Sequence, residues 1–133
     1  MEEPLKVGEP ALTSERLAVL FDEQVLALAK PGKDILATLT PEKCHLWHMA
    51  TGCAGEAGEL LDAIKKHVLY NKDLDRANIV EELGDFEFYK IGICQALGIS
   101  QEEILTANMR KLSTRYSAKQ YSDAQAQARA DKA

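Results

Sequence analysis

The chain has 133 residues, 46% hydrophobic and 28% charged, which is enough for one buried core, too little for two, and far from the composition of a disordered chain. Sixteen Lys plus Arg against 21 Asp plus Glu leave a net charge of −5, so cations to neutralise a phosphate backbone are lacking and duplex nucleic acid is not expected as a partner. Cys44, Cys53 and Cys94 are an odd set without short pairing, which predicts a reducing, cytoplasmic setting; no apolar run of about 18 residues occurs, so neither a secretory leader nor a membrane span is expected.

Residues 1–12 contain Pro4 and Pro10 without periodic apolar spacing and are expected to form an arm. Thr13 and Ser14 offer capping oxygens ahead of Leu17, Leu20, Phe21, Val25 and Leu28, a first helix that ends at Lys30, Pro31 and Gly32. Thr40 followed by Pro41 opens a second helix, because proline at the first helical position loses no useful donor. It runs to about Tyr70, with Leu46, Cys53, Ala57, Leu60, Ile64 and Val68 along one face, and Asn71 to Asp75 form a polar turn. The third helix starts near Asp75, passes through Ile79, Leu83, Phe86 and Cys94, and stops at Gly98 after Leu97. Ser100 and Glu103 make a capping box for the fourth, which carries Ile104, Leu105, Met109 and Leu112 to about Tyr116. The remainder, 117–133, is rich in Ala and Gln and is expected to be a frayed helix or disordered. Alternating β patterning is absent, so the expected fold is an all-α bundle of four main helices over residues 13–116.

Chemistry concentrates on two stretches, Gly52-Cys-Ala-Gly-Glu-Ala-Gly-Glu59 and Glu81-Glu-Leu-Gly-Asp85. Glu56 and Glu59 stand one helical turn apart, as do Glu82 and Asp85, so each pair can approach a single ion. At ~100° per residue from Leu60, Glu56 falls about 40° from the apolar stripe and Glu59 about 100°. Glu56 is therefore expected to be partly buried, where a carboxylate is costly unless a cation pairs with it. Oxygen ligands alone favour Mg²⁺, with Mn²⁺ as a substitute, over zinc. Gly52, Gly55 and Gly58 each cost roughly 1 kcal/mol against Ala in a helix, and Gly52 and Gly55, on the Glu59 side, leave bare backbone beside the carboxylates, with His48 on the same flank.

Blander explanations compete. Pairs such as Asp62 with Lys66 are ordinary surface ion pairs, and a single acidic pair would deserve that explanation. A di-iron bundle needs Glu-x-x-His, and neither position 59 nor position 85 is histidine. Cys44, His45 and His48 lack a second cluster that would complete a zinc site. Asn108, Lys111 and Arg115 share a helical face and suit phosphate oxygens, or else place cations near a helix C-terminus.

Taken together, Glu56-Ala-Gly-Glu59, a 22-residue gap, Glu82-Leu-Gly-Asp85 and then Asn108, Lys111 and Arg115 resemble the MazG-like branch of the all-α nucleoside triphosphate pyrophosphohydrolases, over about residues 46–116. The resemblance implies a Mg²⁺-dependent enzyme that cleaves between the α and β phosphates of a nucleoside triphosphate, giving the monophosphate and pyrophosphate. It implies a homodimer or homotetramer with the pocket near the subunit interface. Glu56, Glu59, Glu82 and Asp85 would bind metal, and Asn108, Lys111 and Arg115 would hold phosphates. Many relatives carry a further Glu where this chain has Gly55, which leaves Glu59 or Glu81 to orient the attacking water, or the metal alone to acidify it. His48 is the expected contact to the base, and Trp47 is expected in the core or an interface. A narrower dUTP, dCTP or phosphoribosyl-ATP pyrophosphohydrolase, or a non-catalytic helical assembly module, are the alternatives.

Overall fold

The computed structural model describes residues 13–132. The arm expected at 1–12 lies outside them. Six α-helices follow in order: α1 (Ser14–Leu28), α2 (Gly32–Thr38), α3 (Pro41–Tyr70), α4 (Arg76–Leu97), α5 (Gln101–Arg115) and α6 (Asp123–Ala128), then a 3-10 turn at Ala130–Lys132. No β-strand occurs among the described residues, so the all-α expectation holds. The four expected helices are α1, α3, α4 and α5, and two short ones are added. One is α2, because the Pro31 that ends the first helix also serves as N-cap of the next. The other is α6, inside the stretch expected to fray.

The chain divides into two compact units that part at Leu39 and Thr40. In the first, Thr13 Oγ1 accepts from the Arg16 amide at 3.2 Å and starts α1, whose Leu17, Val25 and Leu28 remain exposed. In the second, Thr40 Oγ1 accepts from the Lys43 amide at 3.2 Å, Asp75 Oδ1 accepts from the Asn78 amide at 3.0 Å, and Ser100 Oγ accepts from the Glu103 amide at 3.1 Å. Each cap satisfies an otherwise orphaned first-turn amide, which is why the helices begin where the sequence placed them. Left-handed residues close α3 and α4: Asn71 at φ 51° and Gly98 at φ 66°. At the first of these ends, His67 Nδ1 donates to the Lys72 carbonyl at 2.7 Å.

The long helices α3 and α4 pack antiparallel as a hairpin. Two notches fix their register. The Tyr89 ring sits against the bare Cα of Gly52, and the Met49 side chain sits against that of Gly92. Stepping four residues onward along α3 and four back along α4 from the Gly52 and Tyr89 contact brings Glu56 opposite Asp85. Met49 is the one buried hydrophobic residue among those described, so the hairpin has a seam and no enclosed core.

Gly52→Ala tests the register. Alanine gains about 1 kcal/mol of helix propensity, but its methyl would overlap the Tyr89 ring, and overpacking costs about 1–3 kcal/mol. The expected result is a lower melting temperature by thermal circular dichroism. Gly58→Ala, with open space around its Cα, is expected to hold or raise it.

Candidate metal and phosphate site

Oxygens of Glu56, Glu82 and Asp85 lie within 4.8 Å of one another. The α3–α4 register brings this about: Glu56 rises from the middle of α3 beside the seam, and Glu82 and Asp85 face it from successive turns of α4. Glu56 and Glu82 are half-buried and Asp85 is exposed. Partial burial of Glu56 agrees with its projected angle to the apolar stripe. Glu59 is exposed and stands outside this trio, as its wider angle suggests.

Burial pushes the Glu82 carboxyl above its ordinary value, and so do a hydrogen bond with Glu56 and the negative charges of Glu56, Glu59 and Glu81. Glu59 and Glu81 therefore share the cluster's electrostatic field although they are not among the three converging residues. Concentrated carboxylates of this kind are unfavourable alone and become favourable around a divalent cation. An all-oxygen donor set suits Mg²⁺ or Mn²⁺, so the residues present fit the ion the sequence suggested. Asp62 stays apart, paired with Lys66 at 2.8 Å and Lys65 at 3.2 Å as an ordinary surface cluster.

His48 lies edge-on to Tyr89, with ring centroids 6.1 Å apart, and so sits on the seam one turn before Gly52. Tyr89 thus links the Gly52 notch to His48, a role that spacing along the sequence does not reveal. Trp47 is 72% exposed, so it is not in the core of this chain.

Asn108, Lys111 and Arg115 line α5, whose main contacts are with the 3-10 turn and α6. Asn108 and Lys111 are exposed. Arg115 is half-buried and already engaged: Nε donates to Asp131 Oδ1 at 2.7 Å and Nη2 to Oδ2 at 2.9 Å. Where a frayed helix or disorder is expected, the described residues after 116 form α6 and a 3-10 turn tied to α5. Their few apolar groups hid a fold made from polar contacts. Ser122 Oγ caps α6 by accepting from the Gln125 amide at 3.3 Å, and Gln125 Nε2 donates to Ser117 Oγ at 3.0 Å. Tyr121 donates to Asp123 Oδ1 at 2.7 Å, and its ring lies 5.8 Å from that of Tyr116.

The Arg115 guanidinium holds the Asp131 carboxyl down at about 2, against an ordinary 3.8. A depressed folded pKa gives stability that is complete above the ordinary value and fades as pH falls through the folded one. The tail is therefore expected to stay docked above pH ~4 and to release between about 4 and 2. Near-ultraviolet circular dichroism of the tyrosines should report this transition, and Asp131→Asn should remove it.

A family model described as the MazG nucleotide pyrophosphohydrolase domain matches residues 47–118, more than half of the chain. No curated protein and no solved structure matches it. The match runs from Trp47 on α3, across the carboxylate cluster, to three residues past the end of α5, and by it the chain belongs to the MazG nucleotide pyrophosphohydrolase family.

Proposed function

We propose that the chain is a Mg²⁺-dependent nucleoside triphosphate pyrophosphohydrolase that converts a ribo- or deoxynucleoside triphosphate and water into the monophosphate and pyrophosphate. The observation that carries this is the convergence of Glu56, Glu82 and Asp85 within 4.8 Å across the hairpin seam of a family member. In the reaction the water oxygen bonds to the α-phosphorus, the bond to the α–β bridging oxygen breaks, and that oxygen leaves with its electron pair as part of pyrophosphate. A bound Mg²⁺ supplies charge neutralisation on the phosphate oxygens and acidifies the attacking water.

The chain's own residues supply the remainder. Glu56, Glu82 and Asp85 hold the ion, with Glu59 completing the set from the next turn of α3. Glu59 or Glu81, both exposed and both felt electrostatically by Glu82, accepts the water's proton. His48 contacts the base from the seam. Asn108, Lys111 and Arg115 bind the phosphate oxygens.

α5 makes its main contacts with the tail, and in this reading self-association, as a homodimer or a dimer of dimers, brings these two residue sets to one substrate. The exposed Trp47, Leu61, Val68 and Phe88 support that assembly, since a seam with one buried residue leaves large apolar groups to be covered. Residues 13–116 form the catalytic body in this reading. No helix among the described residues is long and apolar enough to cross a membrane, and all three cysteines are free, which supports a cytoplasmic role in nucleotide-pool control.

The test is a panel of ribo- and deoxynucleotides, including dUTP, dCTP and phosphoribosyl-ATP, with products separated by ion exchange. The expected products are monophosphate and pyrophosphate, lost with EDTA and restored by excess Mg²⁺ or Mn²⁺. Turnover of a single nucleotide would narrow the substrate, whereas diphosphate with orthophosphate, or turnover indifferent to chelator, would contradict the proposal.

A further inference from the structure

The chain after α5 reverses twice to reach back to it. Lys119 at φ 58° turns the segment into α6, and Arg129 at φ 50° turns α6 into the 3-10 turn, which returns Asp131 to Arg115 across 16 positions. The pair formed there is largely shielded, with the Asp131 side chain 3% exposed and that of Arg115 17%. A buried ion pair is a poor way to gain stability, because the charges must be stripped of water before they attract one another. What it does well is direction: a two-point fork fixes the plane and rotation of a guanidinium that would otherwise sample many rotamers.

The carboxylate occupies one edge of the guanidinium. Of the five N–H groups of Arg115, the carboxylate takes Nε and one hydrogen of Nη2. Tyr116 makes a further side-chain hydrogen bond with the guanidinium; the edge formed by Nη1 and Nη2, next to the one the carboxylate occupies, has the right span for two phosphate oxygens. The carboxylate and a phosphate can therefore occupy different edges of the same group.

We propose that Asp131 is a positioning residue for the reaction, one that holds Arg115 so that the Nη1–Nη2 edge is preset to receive substrate phosphate. It touches no reacting atom and acts through Arg115 alone. The proposal rests on the reading of Arg115 as a phosphate ligand. It gives the tail a purpose: α6, Ser122, Gln125 and the two tyrosines form the mount that brings one carboxylate to one arginine.

The experiment is steady-state kinetics of the full chain with Mg²⁺ and its best nucleotide, for Asp131→Asn, Arg115→Lys and the double variant, with circular dichroism confirming helix content. Loss of a pre-oriented ground-state contact raises KM and spares kcat. Asp131→Asn is expected to raise KM about tenfold or more with kcat within about twofold, as for other supporting-shell losses. Arg115→Lys keeps the charge but loses the fork, and should raise KM as well. In its background Asp131→Asn should add nothing, a coupling that general loosening of the tail would not produce. A lowered KM in Asp131→Asn would overturn the proposal by showing that the carboxylate competes with substrate. An unchanged KM there, with Arg115→Lys impaired, would overturn it while leaving Arg115 as a phosphate ligand. Unchanged KM in both, with Glu82→Gln inactive, would remove Arg115 from the site and leave the hydrolase standing. Absence of turnover in the wild type would remove the hydrolase reading and this inference with it.

Discussion

Glu82→Gln is expected to lower turnover by about three orders of magnitude while leaving helix content at the wild-type level. The magnitude follows from losing a metal ligand whose ion contributes several kcal/mol to the transition state, at about 1.4 kcal/mol per factor of ten. Stability should move the opposite way. Burial and the charges of Glu56, Glu59 and Glu81 all oppose ionisation of Glu82, so a neutral amide there relieves repulsion in the metal-free protein. The metal-free melting temperature should therefore rise, and the increase that Mg²⁺ gives the wild type should shrink or vanish. Asp85→Asn should behave alike in turnover. A variant that loses activity by unfolding shows a lower melting temperature, which separates that outcome from loss of the ion.

The second large effect concerns assembly. Trp47→Asp or Phe88→Asp places a charge on a side chain that is 72% or 65% exposed in the isolated chain. On a free surface either change would be nearly neutral in stability. At an interface it forfeits about 1.5–3 kcal/mol of apolar burial and adds the cost of an unpaired buried charge. Light scattering after size exclusion is expected to show a dimer or tetramer for the wild type and a smaller species for the variants, with turnover lost in parallel. A wild-type monomer that turns over nucleotide would contradict the proposed self-association.

Much of the fold was legible because its signals are local. Thr40 with Pro41, Asp75, Gly98, and Ser100 with Glu103 each act within one helical turn, and each cap or stop forms where spacing placed it. Gly32 was misleading for the same reason: it follows a proline and looks like an end, yet Pro31 begins another helix immediately. The tail defeated pattern reading because nothing periodic holds it. Its principal tie joins Arg115 to Asp131, and a polar contact at that separation leaves no trace in hydrophobic spacing. At the candidate site, angular projection separated half-buried Glu56 from exposed Glu59. It could not show which residues would oppose Glu56, because that depends on the register set by Tyr89 at Gly52 and Met49 at Gly92. Nor could it show that α5 makes its main contacts with its own tail, since partner choice among helices is a tertiary property.

The most direct measurement is Mn²⁺ binding, followed by loss of the free-ion electron paramagnetic resonance signal, with and without a non-hydrolysable nucleoside triphosphate analogue. A carboxylate cage at the hairpin seam predicts saturable Mn²⁺ uptake by the wild type, competition by Mg²⁺, tighter uptake with the analogue, and loss in both Glu56→Gln and Glu82→Gln. Equal uptake by wild type and both variants, or no uptake by a wild-type chain that still cleaves nucleotide, would contradict it.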